Sequence, residues 1–420
     1  MQYGCIGEHL KHSFSAEIHR LLADYEYQIK EIPPDDLDTF LEQREFRGIN
    51  VTIPYKERVI PHLFWISDRA KAIGAVNTIV NREGKLYGYN TDFYGMQALI
   101  KRLGLNPMGK KVAVLGSGGT SRTALAVARE MGGAPVLCVS RKGSEGTVSY
   151  EELYRLHSDV QIVINTTPCG MYPYPDGRQG MAAAAVDVGR LPCLEGVVDA
   201  VYNPLRPQLV LDAKAAGIPS EGGLYMLVAQ AVRACEIFLD ISFDEKTVET
   251  VYQSVLRQKE NLVLIGMPGC GKSTVGAILA ERLGMELLDL DVAITEDAGM
   301  SIPDIFALEG ESGFRDRETR VLKEQAASRN HLILATGGGA ILRDENLNAL
   351  RRNGRLYFLD RPLADLLPTE DRPLASSAKA IQKRYEERYD RYLTCADCRI
   401  EVAGNPCDVA KEIQKDWESI

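Results

Sequence analysis

A phosphate-binding loop constrains this chain more than any other feature. Residues Gly266 to Ser273 read G-M-P-G-C-G-K-S, a complete G-x-x-x-x-G-K-S motif. The apolar run 262–265 precedes the loop and the helical pattern of 274–279 follows it. In such a strand–loop–helix unit, glycines let backbone N–H groups face phosphate oxygens, a lysine reaches the terminal phosphates and a serine ligates Mg²⁺. The alternative is a chance match, which the flanking strand and helix disfavour.

The loop predicts both an ATP site and a domain boundary. We expect Mg²⁺ at Ser273 and ATP at Gly269, Cys270, Gly271, Lys272, Ser273 and Thr274. Such loops usually open a domain, so the residues before about 260 must form something else. A chain of 420 residues is also too long for one ordinary domain.

Composition excludes several functional classes. Hydrophobic residues make up 45% of the chain and charged residues 25%, as in soluble globular proteins. The net charge of −9 disfavours nucleic-acid binding, which needs a basic face, so an anionic ligand must meet a few locally placed Arg and Lys side chains. We see no signal peptide and no apolar run of about 18 residues. We therefore expect a cytoplasmic protein that binds small molecules and no membrane.

The cysteines predict no metal site. The nine cysteines are scattered without framework spacing, which favours reduced thiols. Cys395 and Cys398 form a lone C-x-x-C without a second pair, so we interpret them as structural.

A second glycine-rich turn predicts a dinucleotide site. It lies between the strand pattern of 111–115 and the helical pattern of 122–131, and another strand pattern follows at 135–139. This is a βαβ unit of the Rossmann type. Its predicted cofactor-binding residues are Gly116, Ser117, Gly118, Gly119 and Thr120.

The end of the second strand favours NADP(H) over NAD(H). An acidic residue there would bind the ribose hydroxyls, whereas this chain has Ser140, Arg141 and Lys142. A guanidinium and an ammonium suit a 2′-phosphate. The alternative is a solvated basic turn without a ligand.

The pattern of elements predicts an α/β protein with three folded parts. An α/β substrate-binding domain at 1–98 is completed by 222–242, and a Rossmann NADP domain spans 99–221. A charged helical connector covers 243–259, and a P-loop domain with a parallel sheet covers 260–420. Strands are predicted in the first part at 3–6, 28–32, 48–53 and 77–81, and in the second at 161–165 and 195–200.

Four polar clusters in the first 95 residues resemble the shikimate dehydrogenase family. They are Ser13-Phe14-Ser15, the N-V-T-I-P-Y-K run at 50–56, G-A-V-N-T at 74–78 and N-T-D at 90–92. The family's later motifs follow in order: G-S-G-G-T-S-R at 116–122, N-T-T-P-C-G-M at 165–171 and G-L-Y-M-L-V-A-Q at 223–230. The resemblance covers about residues 1–240.

This resemblance implies NADPH-dependent reduction of 3-dehydroshikimate to shikimate. Lys56 and Asp92 would be the catalytic pair, because a developing alkoxide needs a proton donor beside it. Ser13 and Ser15 would hold the substrate carboxylate, and the ring hydroxyls would be bound by Thr52, Asn77, Asp92 and Gln230. Tyr202 would also contact the substrate, and Gly223 would contact NADP. Ser140 and Lys142 depart from the family's N-R-T. Taken singly, Asp92 could instead cap a helix and Lys56 could be a surface lysine.

The C-terminal motifs resemble the shikimate kinase family over about residues 260–402. Leu287 to Asp291 is predicted as a strand with Asp289 and Asp291 on one face. Arg315 and Glu318 then fall at i,i+3 on a helix, a spacing that surface ion pairs also show. A glycine triplet (337–339), an R-P-L at 372–374 and the R-Y-D-R-Y at 388–392 complete the pattern.

The second resemblance implies phosphorylation of the shikimate 3-hydroxyl by ATP. Asp291 would orient the hydroxyl, and Asp289 would hold Mg²⁺ through water. Arg315 and Arg388 would clamp the carboxylate, Gly337, Gly338 and Gly339 would line the ring, and Arg372 would reach the phosphates from a lid. The loop 361–371 is short for the family's lid and lacks its upstream arginine.

The combined prediction is one chain with two consecutive reactions, dependent on NADP(H), ATP and Mg²⁺. Two alternatives stay open. The C-terminal part could be a regulatory nucleotide-binding module, although such a module needs neither Asp291 nor the two arginines. The N-terminal part could accept quinate.

Overall fold

The computed structural model describes residues 1–8, 10, 13–141, 143, 146–172, 184–325, 329–366 and 377–419. The chain divides into two compact units, Met1–Val255 and Leu256–Ile420. Two predicted site residues, Lys142 and Arg372, lie outside the described residues, as do residues 367–371 of the predicted short lid. Within the described part, no helix is both long enough and apolar enough to cross a membrane.

The first unit begins with a mixed six-stranded sheet in the order β2-β1-β3-β5-β6-β4. β1 pairs in parallel with β2 and β3, whereas β3–β5 and β5–β6 are antiparallel. Glu83 and Gly84 connect β5 to β6 with φ values of 53° and 77°, as a type I′ hairpin turn requires. The strands are β1 (Tyr3–Gly7), β2 (Tyr27–Glu31), β3 (Gly48–Val51), β4 (Trp65–Ile66), β5 (Thr78–Arg82) and β6 (Lys85–Tyr89).

Four α-helices belong to this lobe. The third begins where the Ser67 hydroxyl accepts a hydrogen bond from the Ala70 N–H, and it ends at Gly74, whose φ is 73°. The helices are α1 (Ser15–Leu22), α2 (Leu37–Gln43), α3 (Asp68–Ile73) and α4 (Asp92–Arg102), with 3₁₀ turns at Pro34–Asp36 and Ile60–His62.

The second lobe of this unit is a Rossmann sheet. Its six strands are all parallel in the order β12-β11-β10-β7-β8-β9, which is the 3-2-1-4-5-6 order read from the other edge. The order reverses between β7 and β10, so a ligand is expected at the carboxyl ends of those strands. The strands are β7 (Val112–Leu115), β8 (Val136–Ser140), β9 (Val148–Ser149), β10 (Ile162–Asn165), β11 (Gly196–Asp199) and β12 (Ser220–Glu221).

Helix α8 (Leu224–Leu239) packs against α4 of the first lobe. Gly95 on α4 allows this close approach, because a Cβ there would overlap the Met226 carbonyl. The contact places Gln230 beside the first sheet. The helices are α5 (Gly119–Glu130), α6 (Tyr150–Leu156), α7 (Gln208–Ala215), α8 (Leu224–Leu239) and α9 (Thr247–Lys259), with a 3₁₀ turn at Val188–Arg190.

The second unit is a five-stranded parallel sheet in the order β14-β15-β13-β16-β17. The central strand β13 is buried at every position, as a strand covered on both faces should be. The strands are β13 (Asn261–Ile265), β14 (Glu286–Asp289), β15 (Leu332–Ala335), β16 (Gly354–Asp360) and β17 (Cys398–Glu401).

The helices of the second unit include one broken helix. Gly310 interrupts α12 with φ 72° and ψ −177°, a conformation that is strained for any residue with a side chain. The helices are α10 (Lys272–Leu283), α11 (Leu290–Ala298), α12 (Ile302–Gln325), α13 (Asp344–Asn353), α14 (Ala378–Cys395) and α15 (Pro406–Ser419), with 3₁₀ turns at Ala340–Leu342 and Leu363–Asp365.

The predicted α/β fold class is confirmed, and the predicted strands of the first unit lie within two residues of those observed. One local prediction is wrong. Asp289 and Asp291 do not alternate along a strand, because β14 ends at Asp289 and Asp291 lies in the first turn of α11. The Asp289 carboxylate caps this helix by accepting the N–H of Asp291 at 3.0 Å.

Arg102 binds helix α9 to the rest of the first unit. The Arg102 guanidinium lies 4.5 Å from the ring centroids of both Tyr225 and Tyr252. It also pairs with Glu221 at 3.3 Å and with Glu249. Tyr252 is 8% exposed and donates a hydrogen bond to Glu221 at 3.2 Å. The start of α9 is therefore part of the core of the first unit.

We predict that Tyr252→Ala destabilises the first unit by about 3 kcal/mol, the usual cost of removing a buried aromatic ring. Tyr252→Phe keeps the ring and should cost only about 1 kcal/mol for the lost hydrogen bond. Of the two tryptophans, Trp65 lies in the first unit and Trp417 in the second. Urea unfolding followed by Trp65 fluorescence in a Trp417→Phe background measures the first unit alone. Equal midpoints for all three proteins would contradict the prediction.

Candidate active sites

A lysine–carboxylate pair lies between the two lobes of the first unit. Lys56 Nζ is 2.6 Å from Asp92 Oδ2, and the two side chains are only 12% and 10% exposed. Lys56 follows β3, and Asp92 opens α4. The Lys56 Cδ atom is 3.6 Å from the position that a Cβ on Gly119 would occupy, which places the lysine beside the predicted nucleotide loop. The helix cap at α4 is supplied by Asn90, whose Oδ1 accepts the Phe93 N–H at 3.1 Å.

Buried amides and hydroxyls adjoin this pair. Asn77 accepts the Thr91 N–H through Oδ1 at 2.7 Å and donates from Nδ2 to the Thr91 hydroxyl at 3.0 Å. The same hydroxyl lies 3.2 Å from Gln230 Oε1 on α8. Because Thr91 precedes Asp92, these bonds connect Asn77 and Gln230, two of the predicted ring-hydroxyl ligands, to the Lys56–Asp92 pair.

The predicted carboxylate-binding serines lie together at the start of α1. The Ser13 hydroxyl donates to Ser15 Oγ at 3.1 Å. The ring of Phe14, between them in sequence, contacts the ring of Tyr202 edge-on with centroids 5.2 Å apart. Tyr202 follows β11 of the Rossmann lobe, so this contact brings it to the serine pair. Thr52 lies at the end of β3, where its N–H bonds the Ile6 carbonyl at 3.0 Å.

A buried aspartate that the sequence analysis missed shapes the turn before Tyr202. Asp199 Oδ1 accepts the Val201 N–H at 2.9 Å, and the Asn165 amide donates to both carboxylate oxygens at 3.0 Å. Burial raises the pKa of Asp199 to about 7 despite these bonds. Gly223 is tightly packed here, because a Cβ on it would overlap the Ala200 backbone.

The glycine loop after β7 leaves room for a dinucleotide. A Cβ on Gly118 would meet nothing within 4 Å, and no side chain caps the N-terminus of α5. Ser117 is exposed, and Thr120 lies in the first turn of α5. Gly116 has φ 110° and lies against Thr166, so only glycine fits. Free N–H groups at a helix start suit the pyrophosphate of NADP.

The ribose end of this loop contains one further hydroxyl. Ser140 Oγ is 3.0 Å from Thr147 Oγ1. Arg141 is exposed, which leaves its guanidinium accessible to a 2′-phosphate. Thr147 was not predicted, since it lies seven residues along the chain from Ser140 and outside the dinucleotide motif.

The phosphate loop of the second unit is closed around its lysine. Lys272 Nζ donates to the carbonyls of Gly266 at 2.9 Å and Met267 at 3.0 Å, and lies 3.7 Å from Cys270 Sγ. Gly269 and Gly271 have φ values of 81° and 104°, which side chains disfavour. Thr274 follows in the first turn of α10.

Two oxygen ligands for a cation adjoin the loop. The Ser273 hydroxyl donates to Asp289 Oδ2 at 2.5 Å. Hydroxyl and carboxylate oxygens are the hard ligands that Mg²⁺ prefers, so this pair fits the ion that accompanies ATP. Among the described residues, no group of three or more His, Cys, Asp or Glu side chains is arranged to hold a metal by itself. Cys395 and Cys398 are free thiols.

The glycine triplet after β15 separates this loop from a charged pocket. A Cβ on Gly337 would lie 2.9 Å from Asp291 Oδ1 and 2.7 Å from Glu318 Oε1. A Cβ on Gly338 would lie 2.7 Å from Pro268 of the phosphate loop, and one on Gly339 would overlap the Arg315 guanidinium. Each glycine is therefore required by a different neighbour.

Two arginines line the pocket. Arg315 pairs with Glu318 Oε2 at 2.7 Å, and the Glu318 side chain is fully buried. Burial raises the pKa of the Glu318 carboxyl, while the neighbouring Arg315 opposes the rise. Arg388 on α14 is 3% exposed and donates to the Gly338 carbonyl at 3.1 Å. Burial lowers its pKa.

A buried tyrosine joins the two loops of this site. The Tyr392 hydroxyl donates to the carbonyls of Gly266, at 3.0 Å, and Gly338. Tyr392 was quoted in the sequence motif but not predicted to act in the site. The sequence could have indicated this role, because Tyr392 lies one helical turn after Arg388 and so shares the same face of α14.

Comparisons with known proteins identify the first unit. Residues 5–79 match the family model of the shikimate dehydrogenase substrate binding domain. An NADP(+) shikimate dehydrogenase of Clostridium perfringens is 38% identical over 271 residues, which cover 60% of this chain and 97% of the relative. The chain belongs to the shikimate dehydrogenase family.

Solved structures agree with this assignment. Shikimate dehydrogenase 1 of Peptoclostridium difficile is 35% identical, with a TM-score of 0.55, over 61% of this chain and 98% of its own. The Thermus thermophilus shikimate 5-dehydrogenase in complex with NADP(H) and shikimate is 28% identical, with a TM-score of 0.53, over 60% of this chain and 99% of its own.

Residues 268–418 match the shikimate kinase family model. The chain is thus a fusion of a dehydrogenase unit and a kinase unit.

The geometry of the glycine triplet makes a specific prediction for the kinase unit. Gly339→Ala should displace Arg315 and raise KM for the phosphoryl acceptor about 10-fold or more, the scale of one charge-assisted hydrogen bond. KM for ATP should change less than about twofold, because the phosphate loop is untouched. Gly338→Ala presses on Pro268 instead and should raise KM for ATP.

Steady-state kinetics of both substrates separate these outcomes. Ser312→Ala, at an exposed position of α12, is the matched control. Equal effects of the two glycine substitutions on both KM values would contradict the assignment of separate neighbours.

Proposed function

We propose that this chain catalyses two consecutive steps of the shikimate pathway. The dehydrogenase unit reduces 3-dehydroshikimate to shikimate with NADPH, and the kinase unit phosphorylates the 3-hydroxyl of shikimate with ATP. The observation that carries the first assignment is the Lys56–Asp92 pair, held at 2.6 Å beside the nucleotide loop. The second rests on two arginines and Asp291 around one glycine triplet.

In the dehydrogenase unit, the chain supplies a proton and fixes the ring. Bound NADPH would supply the hydride. Lys56 donates a proton to the carbonyl oxygen as it gains negative charge, and Asp92 holds the ammonium in place. Asn77 and Gln230 bind ring hydroxyls, and Ser13 and Ser15 bind the carboxylate. Low exposure of the ion pair strengthens these contacts, because little water competes for them.

In the kinase unit, the chain positions the acceptor and balances charge. Mg²⁺ at Ser273 and Asp289 would neutralise part of the charge on ATP. Asp291 orients the attacking hydroxyl, and Arg315 and Arg388 hold the substrate carboxylate. The two arginines also offset the repulsion between that carboxylate and the phosphates.

A coupled assay tests the whole proposal. The chain, supplied with 3-dehydroshikimate, NADPH and MgATP, should oxidise NADPH and yield shikimate 3-phosphate. Omission of ATP should stop the sequence at shikimate. Quinate with NADP⁺ tests the alternative substrate. Reduction without any phosphorylated product would favour the regulatory-module alternative and overturn the kinase assignment.

Lys56 is the residue on which the reduction depends. Lys56→Ala should lower kcat for 3-dehydroshikimate reduction about 100-fold or more, because the developing alkoxide loses its proton donor. Kinase activity of the same chain should be unchanged. Lys71→Ala, an exposed lysine of the same lobe, is the control. A Lys56→Ala enzyme with near-normal turnover would remove Lys56 from the mechanism.

Cofactor selectivity is expected to depend on Arg141. Arg141→Ala should raise KM for NADPH about 10-fold, the scale of one or two hydrogen bonds to a charged group, and leave KM for NADH almost unchanged. Arg129→Ala, at an exposed position of α5, controls for the loss of positive charge alone. Equal shifts for both cofactors would show that Arg141 does not contact the 2′-phosphate.

A further inference from the structure

A fully buried hydroxyl lies behind the substrate-hydroxyl ligands of the dehydrogenase unit. Thr78, the first residue of β5, is 0% exposed, and Thr91 is equally buried. Asn77 and Gln230, which we assign to ring hydroxyls, are 3% and 7% exposed. Thr78 therefore belongs to the layer beneath the substrate, where every polar atom needs a partner from the protein.

Thr78 has three polar neighbours. Its hydroxyl accepts a hydrogen bond from Asn50 Nδ2 at 3.1 Å. It lies 3.1 Å from Asn77 Oδ1 and 3.0 Å from Thr91 Oγ1. A hydroxyl has one proton, so Thr78 can fully donate only one of these bonds. Since the Thr91 proton is directed to Gln230, the Thr78 proton is directed to Thr91 Oγ1. Valine has the same shape as threonine but can make none of them.

The bonds around Thr78 run in one direction. The Tyr27 hydroxyl donates to Asn50 Oδ1 at 2.6 Å, which turns the Asn50 amide nitrogen toward Thr78. At the other end, Thr91 donates to Gln230 Oε1 at 3.2 Å, and Gln230 Nε2 donates to the Leu227 carbonyl at 2.9 Å. These two bonds fix the orientation of the Gln230 amide. Its Nε2 atom is then the group that can donate to further hydrogen-bond acceptors.

We propose that Thr78 is a positioning residue for 3-dehydroshikimate. It does not touch the substrate. It donates to Thr91, which in turn bonds both Asn77 and Gln230, and so sets which amide atoms the ring hydroxyls meet. The proposal rests on the assigned dehydrogenase reaction. Misoriented amides present the wrong donor or acceptor to a hydroxyl, which is why a distant hydroxyl affects substrate recognition.

The test compares Thr78→Val with Thr78→Ser in the full chain. Thr78→Val should lower kcat/KM for 3-dehydroshikimate about 10-fold, as expected for one or two buried hydrogen bonds. KM for NADPH should stay within about twofold, because the nucleotide loop is not in the network. Thr78→Ser keeps the hydroxyl and should restore most of the activity. Thr78→Ala replaces the valine variant if the latter does not fold, with the same loss expected.

A double-mutant cycle distinguishes positioning from general destabilisation. In a Gln230→Ala background, Thr78→Val should cost clearly less than about 10-fold, because the amide it orients is gone. Ser220→Ala removes another buried hydroxyl, which donates to the Val210 carbonyl in the Rossmann lobe, and should leave kcat/KM unchanged. Multiplicative effects in the cycle, or equal losses for valine and serine at position 78, would overturn the proposal.

The wild-type chain is assayed first, so that the two levels of inference fail differently. A wild-type enzyme that does not reduce 3-dehydroshikimate contradicts the proposed function itself. A wild-type enzyme that reduces it, beside a Thr78→Val enzyme with normal kcat/KM, contradicts only the role of Thr78.

Discussion

Both nucleotide loops depend on one constraint: a glycine-rich turn must leave backbone N–H groups open at the carboxyl edge of a parallel sheet. In the dehydrogenase unit this edge lies after β7, and in the kinase unit after β13. All other site residues are placed by reference to that edge. Lys56 approaches the first loop at Gly119, and the glycine triplet approaches the second at Pro268. At Gly338 a Cβ would lie 2.7 Å from Pro268, so the approach of the triplet to the phosphate loop requires glycine there.

The two proposed substrate sites differ in their chemistry, and the charges explain why. The residues that we propose for the dehydrogenase site are mostly neutral hydroxyls and amides, apart from the Lys56–Asp92 ion pair. In our proposal the kinase unit holds a carboxylate near a triphosphate, which requires fixed positive charge. Arg388 supplies it at 3% exposure, where desolvation is costly and lowers its pKa. The adjacent Glu318 pairs with the other arginine, Arg315, at 2.7 Å.

Much of this arrangement could be predicted from sequence, because loops and strands are local features. The glycine loops and the flanking strands follow from motif and periodicity. The strand assignment at Asp291 failed for a local reason as well: the Asp289 carboxylate captures the N–H of Asp291 and starts a helix that alternation cannot reveal. The fit of Gly339 against Arg315 could not be predicted, since it joins residues from two distant segments. The role of Thr78 could not be predicted for the same reason, because its partners lie on β3 and immediately before α4 and β5.

The connector at 243–259 shows what sequence composition alone can and cannot predict about contacts. Its composition predicts a charged helix, and one of its charged residues, Glu249, pairs with Arg102. Glu249 and Tyr252 complete a cluster whose other members are Arg102 of α4, Glu221 of β12 and Tyr225 of α8. A guanidinium between two aromatic rings is stabilised on both faces while its N–H groups still reach carboxylates at the edge. The start of α9 therefore contributes to the stability of the dehydrogenase unit. A fragment that ends before Thr247 would leave Arg102 and the Tyr225 ring without Glu249 and Tyr252.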